Sequence, residues 1–116
     1  AAISALHSEA SSHATTDWRQ IVLLYDTMCA LASNPVYLLN RAVAVSFASG
    51  PERALEALDA VEADLADYQP FHAARADLLR RSHRLEEAMQ SYRRAIELST
   101  NESERQFLIE RAALIS

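Results

Sequence analysis

The sequence has 116 residues, half of them hydrophobic and 23% charged, which excludes a disordered chain and sets the size of one domain with one core. A formal charge of −5 argues against a segment that grips nucleic acid by itself, because phosphate contacts supply most of that affinity. No apolar run approaches the roughly 20 residues of a membrane-spanning helix, and Ala1-Ala2-Ile3-Ser4 lacks the basic start of a secretion signal.

The single Gly and three Pro punctuate a chain otherwise rich in helix formers. Residues 1–10 are expected to form a first helix, and 11–16 a loop. Asp17 is a good N-cap for an apolar run from Trp18 to Leu31. Asn34-Pro35 breaks that run, and Pro35 opens a helix reaching about Ser49. Gly50-Pro51 ends it, since Gly suits the left-handed position after a helix and Pro cannot continue one. A helix from Pro51 to about Ala63 follows, then a polar loop from Asp64 to Gln69. Pro70 opens a helix ending near Ser82, and His83-Arg84 makes a tight corner. A helix from Leu85 to Leu98 comes next. Ser99-Thr100-Asn101 stops it and caps a last helix to about Ile115, whose Glu102 and Glu104 suit a helix N-terminus. The expectation is all-α, about seven helices and no strand.

Three apolar stripes recur at the helical period. The first is Ile21, Leu24, Tyr25, Met28 and Leu31, the second Leu55, Leu58 and Val61, and the third Leu85, Ala88, Met89, Tyr92, Ala95 and Ile96. They are in register. Ile21, Ala54 and Ala88 lie 33 and 34 residues apart, as do Tyr25, Leu58 and Tyr92, and Met28, Val61 and Ala95. Arg41-Ala42 matches Arg75-Ala76, and Val45 matches Leu79, 34 residues on. A two-helix period of this length is the signature of a solenoid.

The pattern Ala76-x2-Leu79 followed by Leu85-Glu86-Glu87-Ala88-x3-Tyr92-x2-Ala95 resembles the tetratricopeptide repeat. Ala42, Val45, Ala54 and Leu58 repeat it more weakly, and Ile21 departs from it at the small position. His83 stands where that repeat commonly has Gly, and Thr100 replaces an exit Pro. The resemblance implies a right-handed helical solenoid of three helix pairs, closed by a C-terminal capping helix. Residues 1–116 would be one such domain.

A narrower likeness rests on Asp17-Trp18-x2-Ile21-x3-Tyr25, Leu39-Asn40-Arg41-Ala42-Val43-Ala44-Val45, Gly50-Pro51, Ala74-Arg75-Ala76-Asp77-Leu78-Leu79-Arg80-Arg81 and Asn101-Glu102-x-Glu104-Arg105-x-Phe107-Leu108. These strings resemble the C-terminal extension of extracytoplasmic-function RNA polymerase sigma factors. The resemblance implies a cytoplasmic fragment of a longer bacterial chain, a reading that the absent initiator Met and the wholly Arg basic complement fit. It also implies a protein-interaction module that modulates transcription initiation. Its partners would be the sigma factor's own DNA-binding domains, RNA polymerase or a regulator, with no direct nucleic-acid contact and no membrane. A stand-alone scaffold gripping a peptide or helix, and a fragment of an enzyme with its active site elsewhere, are the alternatives.

Nothing in the sequence calls for a cofactor. There is no Gly-rich phosphate loop, and no Cys or His pair has metal spacing. His7, His13, His72 and His83 stand apart, and lone Cys29 falls in an apolar stripe where an inert buried thiol is expected. Glu52, Glu56, Asp59, Glu86 and Glu87, in or near first turns, read as a solvated face rather than a catalytic pair. No catalytic residue is assigned. Arg41 and Arg75, in equivalent registers, invite the ion pairs Asp26–Arg41 and Asp59–Arg75; the alternative is that both guanidiniums snorkel to solvent.

The first helix of each pair lines the concave face of such a solenoid, as the resemblance implies. That face would carry Leu39, Asn40, Val43, Ser46 and Phe47 from one helix, and Ala73, Ala74, Asp77, Arg80 and Arg81 from the next. Asn40 matches an Asn that some of these repeats use on a peptide carboxylate. Ala73 and Asp77 replace the basic partners of that clamp, which leaves a mixed apolar and charged groove.

Overall fold

The computed structural model describes residues 17–115. Among them are six α-helices and no strand: α1 Trp18–Leu31, α2 Pro35–Ser49, α3 Pro51–Asp59, α4 Gln69–Arg81, α5 Leu85–Leu98 and α6 Glu102–Ala113. The helix expected over 1–10, with His7 and His13, lies outside the described residues.

The helix starts follow from short polar side chains. Asp17 Oδ1 accepts the backbone N–H of Gln20, Asn34 Oδ1 that of Val36 and Asn101 Oδ1 that of Glu104. Each satisfies one donor that the first helical turn leaves without a partner. Pro35, Pro51 and Pro70 all sit in first turns, where a missing N–H costs nothing.

Two corners set the relative directions of the helices. Gly50 joins α2 to α3 with φ 100° and ψ 158°, a backbone region reserved for glycine. A Cβ there would meet open space, so the requirement is conformational rather than steric. His83 joins α4 to α5 with φ 61°. Its N–H bonds to Arg80 O, and the Arg84 N–H reaches back to Leu79 O. That pair of bonds is a Schellman motif with a histidine at the left-handed site.

α3 ends at Asp59, a turn short of the expected Ala63. The chain continues in turns held by Val61 N–H to Leu58 O, Leu65 N–H to Val61 O and Tyr68 N–H to Leu65 O. These turns bury Val61 and Leu65 together. The segment expected to be a polar loop thus contributes a core residue.

Each helix packs chiefly on its neighbour in the chain, with a slighter contact between α2 and α4. One continuous core runs from α2 to α6 through Leu39, Leu58, Phe71, Leu79, Tyr92 and Leu108. A smaller cluster of Trp18, Ile21 and Ala44 joins α1 to α2, with Tyr25 and Phe47 at its edge. Ala42, Ala54, Ala76 and Ala88 are all completely buried. A methyl group at these sites lets helix backbones approach closely, and a larger side chain would force them apart.

The first stripe is weaker than its spacing implies. Leu31 is 82% exposed, and Tyr25, Met28 and Cys29 are only partly buried. The Cys29 thiol is free, but not enclosed as expected. α1, like α6, has one packed neighbour among the described helices.

Candidate functional site

The residues expected on one groove fall into two groups. Leu39 is 2% exposed and belongs to the core, so it cannot meet a partner. α2 packs between α1 and α3, and the turn that would face a groove at position 39 is rotated into that packing. Asn40 is exposed and Val43 partly buried on the same helix. Burial raises the pKa of the Tyr25 phenol, and the Asn40 side chain works in the opposite direction.

Phe47 already has partners. Its ring stacks on Trp18 at 4.5 Å, and the Arg81 guanidinium lies 4.5 Å from its centroid. Arg81 also donates from Nη1 to Ser46 Oγ at 2.9 Å and from Nη2 to Ser46 O at 3.2 Å. Ser46 is buried, and its hydroxyl donates a hydrogen bond to Val43 O at 2.6 Å. Arg81 is therefore a clamp between α2 and α4 as well as a groove residue. A planar fork suits this task, because it stacks and donates at once.

Asp77 gathers both arginines of α4, with Arg80 Nη2 at 2.6 Å and Arg81 Nη1 at 3.8 Å. The Arg80 pKa is raised, mainly by the Asp77 hydrogen bond, while burial acts against it and Tyr92 adds to it. Arg80 Nε and Ser82 Oγ are buried without a hydrogen-bond partner. Beyond Asp77 a cavity of about 200 Å³ opens between α4, α5 and α6, lined by Ala73, Asp77, Tyr92, Phe107, Leu108 and Arg111. Phe107 is 55% exposed, with the Arg111 guanidinium 5.0 Å from its ring centre. Sequence reasoning passed over these two residues because it read the last helix only as a cap. An aromatic and an arginine four residues apart was the available signal.

The structure brings Asp26 and Arg41 together: Arg41 Nε donates to Asp26 Oδ1 at 2.5 Å. It does not pair Asp59 with Arg75. Arg75 meets Glu62 at 3.6 Å instead. Glu62 lies in the turns that follow α3.

A polar path therefore runs Phe47–Arg81–Asp77–Arg80, with a small apolar-lined cavity at its far end. Its one carboxylate, Asp77, is shared by two guanidiniums. Fixed charges beside aromatic faces suit recognition of a protein segment. Among the described residues no group of three potential ligands could hold a metal ion, and no helix is long and apolar enough to cross a membrane.

No family model matches the chain, and no solved structure matches it. An uncharacterized protein of Rhizobium meliloti (strain 1021) is 44% identical over 108 residues. The match covers 93% of this chain and 26% of that protein's length.

Proposed function

We propose that the helices stack as tetratricopeptide-like pairs and that the chain is a protein-docking module, the C-terminal extension of a cytoplasmic bacterial sigma factor. The observation that carries the stacking is the complete burial of Ala42, Ala54, Ala76 and Ala88, the small positions of two successive repeats. Packing between chain neighbours and a left-handed residue at the tetratricopeptide turn support it. That the homologous segment is a minor part of a longer protein favours an extension over a stand-alone scaffold.

In this reading the segment catalyses nothing. It lays the groove between Asn40, Asp77 and Phe107 against the sigma factor's own domains, polymerase or a regulator, and shifts the balance of active and inactive states. The test is a promoter-reporter assay with the full-length protein. Deleting residues 17–115 changes reporter output several-fold. Exposed Phe107→Ser reproduces part of that change while circular dichroism stays helical. Output unchanged by both defeats the reading.

A further inference from the structure

A second groove lies on the other side of α2. At about 100° per residue, Arg41, Val45 and Ser49 point away from Asn40, Val43 and Phe47. With α1 and α3 they enclose about 370 Å³. The floor is apolar: Val22, Leu23, Val45 and Ala57, with Leu23 64% exposed. The rim is Arg19, Arg41 and Arg53, and no acidic residue lines the groove. Arg41 uses only Nε, on Asp26. Arg19 and Arg53 are exposed and have no ion-pair partner among the described residues. In a chain of net charge −5, three guanidiniums around an apolar floor, two of them without an ion pair among the described residues, stand out.

We propose that this groove docks an acidic amphipathic protein segment that presents a bulky apolar side chain between carboxylates. The apolar side chain covers Leu23 and Val45, and the carboxylates take the free guanidinium forks of Arg19 and Arg53. Nucleic acid fits less well. Its phosphates would face an apolar floor, and Glu52, Glu56 and Asp59 line the adjoining groove on α3 and would repel a longer polyanion. The same acids limit the acidic contact to a short stretch. The proposal is independent of the groove between α4 and α6, which uses other residues.

The test uses the full chain and a fluorescent helical peptide with one Leu flanked by Glu one turn to either side. Anisotropy at low salt shows saturable binding with Kd below about 1 mM. The double variant Arg19→Glu/Arg53→Glu weakens it at least about tenfold, and added salt weakens it too. Leu23→Asp also weakens it and carries the test if the arginine variant fails to fold. A peptide with Lys in place of Glu does not bind. No saturation, equal binding of both peptides, or duplex DNA bound through Arg19 and Arg53 overturns the proposal.

Discussion

Arg81 and Arg41 carry the same charge and do different physical work. Arg81 stacks on Phe47, reaches two oxygens of Ser46 on another helix and lies near Asp77, with its side chain mostly buried. Arg41 makes one hydrogen bond to Asp26, in a pair open to solvent on both sides. Arg81→Ala is therefore expected to lower unfolding free energy by about 1–2 kcal/mol, and Arg81→Lys to recover little, because an ammonium cannot stack and fork. Asp26→Ala is expected to cost less than about 0.5 kcal/mol, as exposed pairs are screened. Urea denaturation of the three variants checks the order. Tyr25 predicts a pH dependence. Its phenol pKa is raised in the folded chain, first by burial. The folded state then holds a proton that the unfolded state releases more readily. Stability from this group is complete below the ordinary phenol value and is lost as pH rises from there through the folded value. Tyr25→Phe should flatten that alkaline loss in a pH series of thermal melts, and an unchanged slope would reject it.

The helices end where backbone chemistry demands. Gly50 and His83 both have positive φ, but only one of them is glycine. His83→Gly should raise stability by about 0.5–1 kcal/mol by relieving a left-handed non-glycine residue. Gly50→Ala should lower it by about 1–3 kcal/mol through backbone strain alone, as no neighbour would touch the new methyl. Thermal unfolding resolves the opposite signs. Close approach of neighbouring helices depends on the buried alanines. Ala88→Leu should destabilise by about 1–3 kcal/mol or more by overpacking the completely buried site on α5, whereas Ala113→Leu on the exposed face of α6 should have little effect. Helix boundaries were legible because caps, Pro and Gly act within a few residues: Asp17, Asn101 and the Leu85–Leu98 span all stand where their local chemistry puts them. The end of α3 was not legible. Helical propensity continues past Asp59, but burial of Val61 and Leu65 bends the chain first.

Across the described molecule, stability should be graded. α4 and α5 share the most extensive helix pairing and lie within the main core, while α1 joins through the smaller Trp18 cluster and α6 presents exposed Phe107 and Ile109, with exposed Leu114 just after it. Native-state hydrogen exchange should find the strongest protection in α4 and α5 and the weakest in α1 and α6, as expected when units contact mainly their neighbours. Uniform protection would mean a single cooperative unit instead. The 33–34 residue register, the all-helical class and the small positions could be read from spacing, because helical period and residue volume are local properties that repeat along the chain. Partners could not. Arg75 takes Glu62 instead of Asp59, Leu39 turns into the core, and Phe107 with Arg111 closes a cavity against Asp77. Each of these depends on the angle and rotation at which one helix meets another. A difference of one turn there exchanges one carboxylate for the next, and no spacing along the chain records it.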